Sequence, residues 1–273
     1  MIATEALSKS CLDAETGVLL IGHGTRDPRG TNEFLRQATL LEQCVPAPVQ
    51  ASFLEFQTPN IADAWRMLVD RGVRRIAVTP LLLFAAGHAK SDIPSEIRAV
   101  SAETPQIEFS FTKPLSRSRS LVECVLERLG QRGTIVSNTR KQMGPTEEAG
   151  LLMVGRGSHD PCARTDMLVL SELIRHRTKF ADVRTSFYAM AQPRLPDVLA
   201  EMAASGLTSI RIHAHLLFNG RLYEAIIKQS AEVAARYPAV GMEVGPYLGP
   251  SLKVAQSLVD RIDLHNGMLS WRA

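Results

Sequence analysis

Two similar doubly wound parallel α/β lobes, produced by an internal duplication, are the fold class this sequence predicts, and three observations predict it. The first is a self-match. Gly22-His23-Gly24-Thr25-Arg26-Asp27-Pro28 aligns with Gly155-Arg156-Gly157-Ser158-His159-Asp160-Pro161 at an offset of 133 (155 − 22). After one added residue, Pro59 meets Pro193, Gly72 meets Gly206 and Leu82-Leu83-Phe84 meets Leu216-Leu217-Phe218. So long a period marks a duplicated domain, not a solenoid repeat. The second observation is that short apolar runs alternate with helix-length amphipathic segments in each copy, the pattern of strand and crossover helix. The third is that these runs lack polar alternation and are rich in β-branched residues, as strands covered on both faces are.

The first copy places strands near Val18–Ile21, Val49–Phe53, Ile76–Pro80 and Ile107–Phe111. After the second of these, Ile61, Ala64, Trp65, Leu68 and Val69 fall on one helical stripe. Thr58 reads as its N-cap, Pro59 as a first-turn residue whose missing N–H costs nothing, and Gly72 as its stop. The second copy repeats this with strands near Leu151–Val154, Val183–Phe187, Ile210–Ala214 and Met242–Val244. Its corresponding helix carries Leu195, Val198, Leu199 and Met202 ahead of Gly206, and its last helix begins after Ser251. Gly133 to Gly150 is polar and has no sustained apolar stripe, so it reads as a linker. The expected lobes are therefore residues 17–132 and 150–264. Met1 to Thr16 is too polar for a signal peptide or membrane span and reads as a loose leader.

A chain of 273 residues with 45% hydrophobic side chains can cover cores of this kind without staples. Cys11, Cys44, Cys124 and Cys162 stand singly, with no Cys-x-x-Cys, which argues against a structural zinc knuckle or a local iron–sulfur cluster. A reducing cytoplasm fits that usage. The net charge of +3 is carried by scattered lysines and arginines, and aromatics are only 5%. That is poor material for stacking bases or tracking phosphates, so neither nucleic acid nor a membrane is an expected partner. A small polyanionic substrate suits the charge better.

Chemistry in such a fold gathers beyond the carboxyl ends of the strands. His23 follows the first strand, Glu55 the second and His88 the third, so right-handed crossovers bring all three to one edge of the first lobe. Two imidazoles and a carboxylate make a site for a divalent first-row metal with open coordination positions. Phe53, Leu54 and Phe56 are expected to give Glu55 an apolar setting, where proton exchange near neutral pH is easier. Phe84-Ala85-Ala86-Gly87 lets backbone amides approach a ligand closely, and Arg26, Arg29 and Lys90 lie near the same edge, able to pair with substrate carboxylates.

The second copy lacks this constellation. Arg156 stands for His23, Ala189 for Glu55 and, with one gap, Arg221 for His88. His213 and His215 alternate along a strand and so face the same side, while His159 takes the place of Arg26. The second lobe therefore reads as a scaffold.

With these residues in hand, the chain resembles the class II tetrapyrrole chelatases, most closely the sirohydrochlorin cobaltochelatase and ferrochelatase group. The resemblance covers roughly residues 17 to 260. It rests on Leu20-Ile21-Gly22-His23-Gly24-Thr25-Arg26-Asp27, on the segment Leu81-Leu82-Leu83-Phe84-Ala85-Ala86-Gly87-His88-Ala89-Lys90-Ser91-Asp92-Ile93-Pro94, and on His215-Leu216-Leu217-Phe218-Asn219-Gly220 in the duplicate. It implies that His23 and His88 are metal ligands, and it places Glu55 at the position of an acidic residue found in some members. It also implies insertion of Co2+ or Fe2+, as substrate, into sirohydrochlorin or a related tetrapyrrole in cobalamin or sirohaem synthesis. The chain looks like the fused two-lobe form with its site in the amino-terminal lobe. No cysteine- or histidine-rich run follows Trp271, so the cluster carried by some relatives is not expected.

Two other readings compete. Gly22-His23-Gly24 with Glu55 can be read as a dinucleotide fingerprint, but Asp27 stands where the third glycine belongs and puts a negative charge beside the pyrophosphate. No Gly-x-x-x-x-Gly-Lys-Ser/Thr loop is present, so neither nucleotide cofactor nor ATP is expected. A metal or tetrapyrrole carrier with the same ligands but no turnover is the second alternative.

Overall fold

The computed structural model describes residues 12–13, 15–85, 91–137 and 147–266. The chain divides into two compact units, one of residues 1–120 and 250–273, the other of residues 121–249.

In unit 1, Thr16–Gly22 form β1, buried along its whole length because nothing in Gly-Val-Leu-Leu-Ile needs water. Val49–Phe53 form β2, Arg75–Pro80 β3 and Glu108–Phe111 β4, all parallel, in the sheet order β2-β1-β3-β4. The helices between them are α1 (Pro28–Glu42), α2 (Ile61–Asp70) and α3 (Ile93–Ser101). The chain leaves β1 to one side for β2 and passes to the other side for β3, so the switch point of this sheet lies between β1 and β3. The core joins Leu19, Ile21, Ile76 and Val78 of the strands to Trp65, Leu68 and Ile97 of the helices. Trp65 is fully enclosed, its indole N–H donating to the Thr104 hydroxyl at 2.9 Å.

Two local expectations are corrected here. Helix α2 is capped by Asn60, whose side-chain oxygen accepts from the Asp63 amide at 2.8 Å, and not by Thr58. The Pro59 carbonyl accepts from the Phe53 amide at 3.0 Å, which keeps residues up to Asn60 extended alongside β2 and delays the helix. The leader, moreover, is tied down at its end. Leu12 is buried, the Asp13 carboxylate accepts from the Thr16 hydroxyl at 2.7 Å and pairs with Arg75, and Thr16 belongs to β1.

Unit 2 repeats the design. Ala149–Gly155 form β6, Asp182–Phe187 β7, Ser209–Ala214 β8 and Gly241–Val244 β9, with parallel order β7-β6-β8-β9. Helices α5 (Pro161–Arg177), α6 (Leu195–Ala204) and α7 (Arg221–Ala234) connect them. Leu152, Val154, Leu199, Met202, Ile210, Ile212 and Ile226 form its core. The segment read as a linker starts with a short strand, β5 (Thr134–Ile135), antiparallel to β9 on the edge of this sheet. A Cβ at Gly133 would lie 2.1 Å from the Val244 carbonyl oxygen, so only glycine lets the chain enter that edge.

The compact units do not coincide with the sequence repeats. Helix α4 (Arg119–Leu129), which closes the first repeat, belongs from Leu121 onward to unit 2, where Arg128 donates to the Leu248 carbonyl at 2.7 and 3.2 Å. Helix α8 (Leu252–Asn266), which closes the second repeat, belongs to unit 1, where Arg261 donates to the Leu115 carbonyl at 2.5 Å. There the fully buried Gln37 of α1 exchanges two hydrogen bonds with Ser251, just ahead of α8. Among the described residues no helix is long and apolar enough to cross a membrane.

Candidate functional site

The β1–β2 ladder continues beyond the strand ends. The Leu54 amide donates to the Gly22 carbonyl at 2.9 Å and the Glu55 amide to the His23 carbonyl at 3.0 Å. Gly24 makes this possible: its φ is +88, and a Cβ there would sit 1.8 Å from the Glu55 carbonyl oxygen. The Gln57 side-chain amide donates to the Thr25 carbonyl at 2.8 Å and clasps the two loops once more. From the other side, the Leu81 amide donates to the Ile21 carbonyl at 2.8 Å, bringing the end of β3 alongside. The fold therefore gathers His23, Glu55 and the half-buried Phe84 and Ala85 at the carboxyl edge of one sheet, next to its switch point. Ala86, Gly87, His88 and Lys90 lie outside the described residues. Among the described residues no three His, Cys, Asp or Glu side chains come within joint reach of one metal.

His23 is half-buried and Glu55 exposed. The apolar setting expected for Glu55 is absent, because Phe53 turns into the core against Phe34 while Phe56 points outward with 55% of its surface exposed. Phe56 has φ of 66, in the left-handed region, and its ring lies beneath the Arg26 guanidinium, 4.9 Å from carbon to centroid. The sequence predicts only a screening part for Phe56. Its alignment with Met190, another large apolar residue at the same turn, was the available signal. Arg29 is less free than expected, since it closes on Asp27 at 2.8 Å.

Asp27 weighs against the dinucleotide reading. Its carboxylate caps α1, accepting from the Arg29 amide at 3.0 Å, and so holds negative charge where a pyrophosphate would need the helix amides.

The second repeat has the same backbone with other side chains. The Tyr188 amide donates to Gly155 and the Ala189 amide to Arg156, both at 2.9 Å. Gly157 has φ of +92, with a Cβ position 1.7 Å from the Ala189 carbonyl oxygen, and Met190 has φ of 55. Arg156 thus holds the hydrogen-bonding position of His23, and Ala189 that of Glu55. Arg156, His159 and Arg221 are exposed.

His213 on β8 and His215 just past its end do face the same side, with ring nitrogens 3.4 Å apart, but they are 1% and 2% exposed, inside unit 2. Burial, then the nearby Arg211 and Arg128 cations, lowers the His213 pKa to about 3. Burial, then His213, holds that of His215 well below the usual imidazole range. Both rings are neutral at physiological pH. Beside them Arg211 pairs with Glu243 at 2.8 Å, both nearly fully buried. These histidines are interior groups, shielded from any ligand in solution.

The family model for CbiX matches residues 17–132 and again 150–264. The chain belongs to the CbiX family. Among its relatives, the sirohydrochlorin ferrochelatase of Bacillus subtilis strain 168 is 31% identical over 249 residues, spanning 90% of each chain. The sirohydrochlorin cobaltochelatase of Priestia megaterium is 25% identical over 246 residues, 90% of this chain and 78% of that one. A solved structure described as SirB from Bacillus subtilis with Fe3+ superposes with a TM-score of 0.79 at 28% identity, covering 91% of this chain and 94% of that one. The double match of the CbiX model coincides with the two backbone copies, and at the carboxyl edge the copies carry different side chains, His23 against Arg156 and Glu55 against Ala189.

Proposed function

We propose that this CbiX chain inserts Fe2+ or Co2+ into sirohydrochlorin, without ATP and in the cytoplasm, at the carboxyl edge of unit 1. The observation that carries this reading is the duplicated loop that presents His23 beside Glu55 in one repeat and Arg156 beside Ala189 in the other. The names of the relatives support the substrate, since sirohydrochlorin chelatases of both metals are similar over most of the chain.

Insertion converts a divalent ion and a macrocycle with two pyrrole N–H groups into the metallated macrocycle and two protons. The ion must exchange its ligands while the protons leave. Neutral imidazoles suit both tasks, because they bind first-row metals reversibly and take up a proton once the metal has gone. His23 is assigned as one ligand and His88 as the second. Glu55, exposed at the rim, is assigned to pass protons from the site to water. Phe84 to Gly87, Arg26 and Lys90 are assigned to the macrocycle and its carboxylates. Nothing in this scheme consumes a nucleotide.

The test is anaerobic absorbance of sirohydrochlorin with Fe2+ or Co2+, substrate in large excess over protein and no ATP. Continued metallation past one equivalent supports an enzyme. Metallation that stops at one equivalent supports the carrier reading instead, and a requirement for ATP overturns the scheme.

A further inference from the structure

We propose that Arg26 and Phe56 together bind a carboxylate on the rim of the flat macrocycle, with Phe56 as the residue that holds the Arg26 guanidinium in position. The proposal rests on the reading of this edge as a tetrapyrrole metal-insertion site.

A bulky side chain in the left-handed region is uncommon, and glycine or asparagine would hold the Phe56 turn at lower cost. The turn itself therefore does not explain the aromatic. Nor does the core, since more than half of the ring is exposed. What the ring touches is Arg26, at 4.9 Å. A cation over a ring face is held by the ring quadrupole and uses none of its N–H donors as hydrogen bonds to do so, which leaves the guanidinium donors available as a fork for a carboxylate. Among the described residues the Arg26 guanidinium has no ion-pair or hydrogen-bond partner, whereas Arg29 is bound to both carboxylate oxygens of Asp27.

The second repeat acts as an internal control. Its turn has the same backbone, with Met190 at φ of 55, but His159 replaces Arg26 and Met190 replaces the ring. The strained turn is thus common to both copies, while the cation on the aromatic occurs beside His23 alone among the described residues. Its position is fixed at both ends: Phe56 follows Glu55, whose amide is bonded to His23, and Arg26 follows Thr25, whose carbonyl is clasped by Gln57. An exposed aromatic edge with a preset cation matches a ligand that is apolar across its face and anionic around its rim, which is the chemistry of a tetrapyrrole bearing acetate and propionate groups.

The experiment measures binding of metal-free sirohydrochlorin to the full chain by fluorescence quenching, together with steady-state Co2+ insertion. Phe56→Leu is expected to raise Kd and KM about fivefold, the size of a cation–π contact, with kcat within about twofold of wild type. Arg26→Gln is expected to raise them about tenfold or more, as loss of a charge-assisted bond does. The double variant should be no worse than Arg26→Gln alone, and Phe56→Trp should bind like wild type. Competition by a polycarboxylate porphyrin should weaken relative to a dicarboxylate porphyrin in Arg26→Gln. An unchanged KM in Phe56→Leu, additive losses in the double variant, or a fall in kcat alone would overturn the proposal. Failure of the wild type to bind or metallate sirohydrochlorin defeats the functional reading itself. A fully active wild type with indifferent variants defeats only the role of this pair.

Discussion

Replacing Gly24 by alanine places a methyl carbon 1.8 Å from the Glu55 carbonyl oxygen, on a residue whose φ of +88 already disfavours a side chain. The left-handed backbone costs about 1–2 kcal/mol for a residue with a Cβ. The contact can be relieved only by separating the two loops by roughly 1 Å or more, which strains or breaks the bonds from Leu54 and Glu55 to Gly22 and His23, about 1 kcal/mol each. The expected destabilisation is about 3–5 kcal/mol, a large part of a typical domain's stability. Gly157→Ala poses the same problem in the second repeat, with φ of +92 and a contact of 1.7 Å to the Ala189 carbonyl. Urea denaturation followed by circular dichroism should therefore show similar losses for the two variants. Their activities should differ. At a temperature where both are predominantly folded, Gly24→Ala shifts His23 and is expected to lower the insertion rate about 100-fold, the scale of an ångström misplacement, while Gly157→Ala stays within a few-fold of wild type. A Gly24→Ala protein as stable as wild type would refute the close approach of the loops, and equal activity losses at equal folded fraction would refute the assignment of the site to the first repeat.

Three further outcomes are expected. His88→Ala should nearly abolish insertion with an unchanged circular-dichroism spectrum, whereas His213→Ala and His215→Ala, compared at matched folded fraction, should retain most activity; equal losses in all three would place catalysis in both repeats. Because His213 and His215 stay neutral when folded but take up protons near pH 6.5 when unfolded, stability is complete above that pH and falls toward His213's folded value of about 3. By pH 5 the pair should have cost about 4 kcal/mol, and a His213→Gln/His215→Gln variant should show a visibly flatter stability–pH curve in urea titrations than wild type. Glu243→Ala leaves Arg211 buried without its partner and should cost about 3–5 kcal/mol, while replacing both with apolar residues of similar volume should cost much less; a single-variant loss below about 1 kcal/mol would mean the pair is hydrated.

Much of the fold and the backbone placement of the candidate site could be read from the chain alone, because strands and turns answer to local chemistry, whereas the cap of α2 fell two residues later than its sequence suggests. The apolar run of β1, the stripe of Ile61, Ala64, Trp65 and Leu68, and the glycine stop at Gly72 each state their burial or conformation within a few residues. Duplication added a second reading of every element, and the hydrogen bonds of Glu55 and Ala189 uphold the alignment of His23 with Arg156 that the self-match proposed. What the sequence could not decide were choices between chemically equivalent surroundings. Helices α4 and α8 come from copies of one ancestral helix, and Arg128 and Arg261 make the same bond to equivalent carbonyls, so periodicity could not tell which sheet each helix joins. His213 and His215 share one face of a strand in the sequence, but only the packed unit buries them beside the Arg211 and Arg128 cations. Phe56 looks like a screen for Glu55 until the close approach at Gly24 turns its backbone left-handed and carries the ring out beneath Arg26. Local pattern fixes which face of an element is apolar, but only the packed chain decides what that face meets.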